Sequence, residues 1–227
     1  MKQIPNILVE KPGATDFEEF AELARMAKAQ GSKVWVGYNR RFYSSVLAAK
    51  KMIQEDGGVR SFIFDFTERS HRVIPSNKPK KIKEEWFFHN ASHVVDLAFF
   101  LGGVPRSMSC YRAGELSWHS RGARFVGSGI SKSGAIFSYH ANWDCPGRWN
   151  LEVVTERHKF IFKPLEELHI QTLESFEVGR VSLNSELDQK FKPGVYLQMK
   201  AFLTGDGITN LPTVEDQLAM IPYFDSI

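Results

Sequence analysis

The sequence predicts an α+β fold: a mainly antiparallel open sheet with helices on one face, preceded by two strands and two helices of a parallel unit. Three observations predict it. Residues 1–58 alternate short apolar runs with helical spacing, residues 59–182 hold a series of alternating strand-like runs, and helical spacing returns from 193 onward. The change of pattern near 57–60 divides the chain into units 1–58 and 59–227.

Taken in order, IPNILV at 4–9 is an apolar run of strand length that ends at Glu10-Lys11-Pro12. Thr15-Asp16-Phe17-Glu18 reads as a capping box, and Phe20, Leu23, Ala24 and Ala27 follow at helical spacing before Gly31 stops the helix. KVWVGYN (33–39) is a second buried strand, and SSVLAAKKMIQEDGG (44–58) a second helix with a double-glycine stop. Strand, helix, strand and helix with tight joins are the pattern of a crossover-connected parallel sheet. VRSFIFDFT (59–67) alternates as a strand, 68–83 is a polar basic loop, and the next helix ends at Gly102-Gly103. SMSCYRA, ARFVGSG, GAIFSYHANW, NLEVVTE, KFIFKP, LHIQTL and SFEVGRV then read as strands of an antiparallel sheet. PGVYLQMKAFLT (193–204) is helical, as is TVEDQLAMIPYFDSI, which Pro222 shortens or kinks.

A chain of 227 residues, 43% hydrophobic and 24% charged, has the composition of a soluble globular protein. A net charge of +3 is too small to argue for nucleic acid or a membrane surface. No apolar run reaches the length of a membrane span, and the N-terminus lacks the hydrophobic region of a secretory signal, so a cytoplasmic location is expected. Cys110 and Cys145 form no CxxC pair and indicate neither a zinc knuckle nor a disulfide framework.

The stretch FFHNASHVVD (87–96) concentrates the chemistry. On a helix His89 and His93 share one face, a turn apart, with Asp96 roughly one turn further. The pair fits a metal, a proton-transfer site or two structural histidines. HNASH has the spacing of HExxH, but Asn90 stands where the glutamate belongs and no third ligand is assignable, so no metal site is expected. Asn39, Arg40 and Arg41 follow a buried strand, at the carboxyl end where ligands gather in open α/β sheets. One arginine is expected to reach a ligand and the other to form an ion pair. The loop holding Arg69, Arg72, Lys78, Lys80, Lys81 and Lys83 is either a solvated face or a receptor for an anionic substrate. Trp143 and Trp149 flank the turn Pro146-Gly147, where an aromatic ring stacks on a sugar, meets another subunit or packs in the core.

Four pieces in one order now carry a resemblance. They are the strand ending Glu10-Lys11-Pro12, then Gly37-Tyr38-Asn39-Arg40-Arg41-Phe42, then Ser92-His93-Val94-Val95-Asp96 running into Leu101-Gly102-Gly103, and last Phe202-Leu203-Thr204-Gly205 with Leu211-Pro212-Thr213-Val214-Glu215-Asp216. Together they resemble the Gfo/Idh/MocA family of NAD(P)-dependent oxidoreductases, which act on sugars, cyclitols and nucleotide sugars. The resemblance implies Lys11 and His93 as catalytic residues, with His89 standing where many members carry a carboxylate. It implies Glu10, Lys11, Pro12 and Asn39 beside the NAD or NADP, and Arg40, Arg41, Asn90, Asp96 and Trp143 beside a sugar-type substrate. It also implies a homo-oligomer formed through the antiparallel sheet.

The family's glycine-rich phosphate loop has no counterpart, since no GxGxxG occurs and Gly127-Ser-Gly129-Ile-Ser-Lys132 carries Lys at the third glycine. Residues 1–58 are therefore expected to be a partial Rossmann-type unit with an open edge and an apolar face lacking its helices. NAD(P) binding by this chain alone is expected to be weak or absent. A separate N-terminal dinucleotide-binding chain, a truncation and a domain of a longer protein all fit. The reading of a different class is a non-catalytic sugar-binding or assembly protein built on the same scaffold.

Overall fold

Capping and alternation set most elements where the sequence puts them. The computed structural model describes residues 4–227, so the first three residues of the 1–58 unit lie outside the description. In chain order the elements are β1 (Asn6–Glu10), α1 (Phe17–Gln30), β2 (Lys33–Gly37), α2 (Ser44–Glu55), β3 (Ser61–Asp65), α3 (Ser70–Val73), α4 (Lys80–Glu84), α5 (Ser92–Gly102), β4 (Pro105–Ala113) and β5 (Arg124–Ser131). They continue as β6 (Ile136–Asn142), β7 (Asn150–Val154), β8 (His158–Phe162), β9 (His169–Thr172), β10 (Gly179–Arg180), α6 (Glu186–Lys190), α7 (Val195–Thr204), α8 (Val214–Leu218) and α9 (Ile221–Ser226). Asp16 caps α1 by accepting from the Glu19 amide at 2.8 Å, and Gly31 closes it in the left-handed region.

β1 and β2 form a two-stranded parallel sheet, Asn6 opposite Lys33 and Glu10 opposite Gly37. The other strands make one sheet in the order β10-β9-β8-β7-β3-β6-β5-β4. It is antiparallel throughout except where β3 runs parallel to β6. Helix α5 crosses the inner face. Its last residue, Gly102, lies so close to Phe62 that an added Cβ would sit 2.3 Å from the ring. Phe62 and Phe64 of β3 stack on Phe137 and Tyr139 of β6 while Phe99 of α5 meets them edge-on, which fixes helix against sheet.

Three expectations need correction. The segment 68–83 is not one loop: α3 and α4 lie within it. The final helix is two, because Pro222 occupies the first turn of α9, where its missing N–H leaves no bond unmade. The small parallel sheet is also not bare. The Val36 amide donates to the Pro212 carbonyl at 2.9 Å, Trp35 bridges to Thr213, and Ala201 and Leu211 pack with Trp35 and Phe42. Returning C-terminal segments thus satisfy one edge of β2 and cover one face, while Phe20 and Ala24 of α1 pack with Val34 and Val36. Val46, Ala49 and Ile53 of α2 belong to the large core. Among the described residues no helix is long and apolar enough to cross a membrane.

Candidate active site

β1 delivers Lys11 to the end of the parallel pair, where the chain turns at Pro12. Lys11 is buried, and its Nζ donates to the His89 carbonyl at 2.5 Å. Burial and the Arg40 guanidinium pull its pKa down to about 7, against the opposing pull of Glu10, Glu68 and Asp96. An ammonium of that kind exchanges its proton near neutrality.

The acceptor carbonyl belongs to a π-helical turn, Phe87–Ala91, that precedes α5. His89 lies in this turn and His93 on α5, and their rings have different partners. The His89 ring points to the α1 entry, with Nε2 2.9 Å from the Thr15 carbonyl, and serves as a tether of that loop. His93, on α5 proper, lies edge-on to Tyr38 at 5.8 Å and tilted to Trp149 at 6.5 Å. Its Nδ1 is buried without a hydrogen-bond partner among the described residues. Burial first, then the charges of Lys11, Arg40 and Lys192, hold its pKa far below the usual range, so the imidazole is neutral. His89 is lowered too, chiefly by burial.

Glu68, which sequence reasoning missed, is the third member of this neighbourhood. It sits three residues past β3 at only 7% exposure and accepts from Asn90 Nδ2 at 2.8 Å. Burial pushes its carboxyl up to about 7 despite that bond and the Lys11 charge. The buried amine and the buried carboxyl are thus both shifted toward neutrality, and each charge acts on the other. Such paired displacement marks proton-transfer sites.

Beside these groups opens a cavity of about 540 Å³ whose walls include Arg40, Glu68, Arg69, Arg72, Trp86, Arg148, Trp149 and Glu166. Lys11 and His93 do not line it; Glu68, Arg40 and Trp149 connect it to them. Arg40 lies over the Trp149 ring at 4.7 Å.

The remaining candidates have structural employment. Arg41 grips Asp96 through Nε at 2.8 Å and a second nitrogen at 2.6 Å, and Gln217 Nε2 adds a bond to the same carboxylate. The second arginine is thus an ion-pair partner as expected, but in a buried clamp joining α5, the turn Asn39–Phe42 and α8. Asn39 donates to the Pro193 carbonyl at 2.9 Å. Trp143 is a core residue: its Nε1 donates to the Phe66 carbonyl and its ring stacks on Trp118. Trp149, six residues on, holds the cavity wall instead. Glu10 is exposed at the end of β1, and Pro12 is buried in the turn after Lys11. No group of three metal-ligating side chains occurs among the described residues.

No family model matches the chain. It is 33% identical over 105 residues to the uncharacterized oxidoreductase YhhX of Escherichia coli (strain K12), covering 44% of this chain and 29% of that one. It is 28% identical over 109 residues to the 2,7-anhydro-N-acetylneuraminate hydratase of Mediterraneibacter gnavus, covering 46% and 29%. The matched stretch is thus less than a third of either relative. Among solved structures, levoglucosan dehydrogenase in complex with NADH superposes with a TM-score of 0.73 at 18% identity, covering 98% of this chain and 70% of that one.

Proposed function

From a chain that carries the Gfo/Idh/MocA-type oxidoreductase fold, we propose the substrate-binding and proton-transfer part of an NAD(P)-dependent oxidoreductase. It acts on a secondary alcohol of a sugar, cyclitol or nucleotide sugar. The observation that carries this reading is a cavity walled by Glu68, Trp86 and Trp149, with His93 packed against Trp149 and Lys11 buried on the His89 carbonyl one residue from Glu68's partner Asn90.

Oxidising a secondary alcohol removes a hydride from carbon and a proton from oxygen. A bound nicotinamide supplies the hydride acceptor, and this chain's residues manage the proton. Neutral His93 is the form that accepts it, the Lys11 charge favours the alkoxide, and Glu68 is a second acid–base group titrating near neutrality. Lys11 is the residue that would stand beside the dinucleotide's reacting end; the start of α1 does not suit its diphosphate. The first turn of α1 carries Glu18 and Glu19, and the Asp16 carboxylate already takes the Glu19 amide. We therefore assign the diphosphate to a separate dinucleotide-binding segment or chain and route no step through it. The same misfit favours the second reading, a sugar-binding or assembly protein without catalysis.

Sugar binding and NAD(P)H absorbance, followed in parallel for the chain and its Lys11→Met and His93→Ala variants, test the proposal. Binding that weakens in both variants, with turnover once a dinucleotide-binding partner is added, supports the enzyme. Binding without turnover leaves the non-catalytic protein, and sugar affinity indifferent to both substitutions refutes the site. The outer sheet face, with Ile63, Tyr111, Val126 and Ile136 exposed, supports a homo-oligomer through that face, which light scattering reads.

A further inference from the structure

The cavity wall has a feature that sugar chemistry alone does not require. Arg40, Arg69, Arg72 and Arg148 all line it, and none has a carboxylate within ion-pair distance among the described residues. Of the other arginines, Arg25, Arg41, Arg60, Arg121, Arg124, Arg157 and Arg180 each hold an acidic partner, Arg112 donates to backbone carbonyls, and Arg106 is without a carboxylate partner among the described residues. We infer that the substrate carries an anionic group, a carboxylate or a phosphate, received by these four guanidinium groups while its ring lies against Trp149. The inference rests on reading the cavity as the sugar site.

Arg40 sets the inner end of this receptor. It is half-buried, stacked on Trp149, and makes no side-chain hydrogen bond to a described residue. A guanidinium in that position has lost water without gaining an acceptor, which a ligand oxyanion supplies. Arg69, Arg72 and Arg148 line the same cavity with exposed side chains. Two carboxylates share the lining, Glu68 and Glu166. They leave the wall an excess of positive charge, and Glu68 is part-protonated near neutrality, which widens the excess.

The neighbouring lysines separate a receptor from a merely basic surface. Lys81 pairs with Asp16 at 2.7 Å, Lys80 with Glu84 at 3.5 Å, and Lys83 donates to the Ile74 carbonyl at 2.8 Å. Lys80, Lys81 and Lys83 are thus engaged away from the cavity and Lys78 does not line it, whereas the segment's two arginines do. Arginine's planar fork is the side chain suited to carboxylate or phosphate oxygens. The volume of about 540 Å³ lies within the roughly 300–1,000 Å³ of small-molecule sites and accommodates a sugar ring with a charged extension.

Calorimetry on the 227-residue chain tests this with glucose, glucuronate, glucose 6-phosphate and inorganic phosphate, repeated on an Arg72→Gln/Arg148→Gln variant. Both arginines are exposed, so the variant keeps its fold, and circular dichroism checks that. A charged sugar is expected to bind about 10-fold or more tighter than glucose, with the preference shrinking in the variant and in high salt. Which charged sugar wins separates carboxylate from phosphate. Equal affinity for glucose and its charged counterparts, or a preference unmoved by the substitutions, overturns the inference and leaves the sugar reading intact. Inorganic phosphate binding as tightly as any sugar supports the guanidinium receptor and sinks the sugar reading. No binding by any of the four overturns both.

Discussion

Replacing Glu68 with Gln removes a carboxyl that accepts from Asn90 and titrates at about 7 instead of its ordinary 4.5. An acid whose pKa is higher in the folded chain binds its proton more tightly there, so it contributes most stability below about 4.5. That contribution is lost as pH rises through 7. Above that window the ionised side chain costs about 3 kcal/mol relative to its protonated form. Glutamine keeps an amide oxygen for Asn90 and never ionises. The stability difference between Glu68→Gln and the parent should be near zero at the acid end of the window. It should then grow to about 3 kcal/mol in favour of glutamine above pH 7. Urea denaturation of both proteins across that range gives the difference directly. Groups common to both, such as His93 and His119 with their lowered values, largely cancel. A difference that does not change with pH, or a glutamine variant less stable at the alkaline end, would refute the burial argument.

The remaining predictions probe the surroundings. Lys11→Met should behave in the opposite sense, because a lysine lowered to about 7 is penalised while charged. The variant should be more stable than the parent by about 3–5 kcal/mol below neutrality, with the gain vanishing toward pH 10.5, again by denaturation. Asp96→Ala strands the buried Arg41 guanidinium and should destabilise by about 3–5 kcal/mol, whereas exposed Arg72→Gln should stay within about 0.5. Gly102→Ala drives a methyl into the Phe62 ring and should cost about 1–3 kcal/mol, read as a lower melting temperature. NAD(P) should bind the 227-residue chain weakly at best, given the acidic first turn of α1; tight binding by calorimetry would contradict this.

The parts of the fold that were legible in sequence are those governed by local periodicity and caps. Asp16 and Gly31 bracket α1, and Thr213 with Asp216 forms a reciprocal capping box at α8. Period-two alternation even held the answer for Trp143: Tyr139, Ala141 and Trp143 are buried at every second position, so Trp143 continues the inward face of β6. Trp149, outside that alternation, was free to reach the cavity.

What sequence did not reveal depends on distant chain segments. Glu68 stands in Thr-Glu-Arg-Ser with no motif around it; its burial comes from residues as remote as Trp86 and Trp149, which share its cavity. Its place just beyond an apolar strand was the available signal. The contact of the His89 ring with the Thr15 carbonyl has no spacing signature, since it joins positions 74 residues apart. Covering of β2 by Pro212 and Thr213 joins positions more than half the chain apart. The bidentate Arg41–Asp96 clamp likewise follows from the fold, since either arginine of the pair could have faced the cavity.

A structure of the chain soaked with a charged sugar is the most direct test. We predict density for one sugar ring against Trp149, its anionic group among Arg40, Arg69, Arg72 and Arg148, and a ring hydroxyl directed toward His93 and Lys11. A sugar bound only elsewhere on the molecule, or one in this cavity with its hydroxyls turned away from both side chains, would contradict the account.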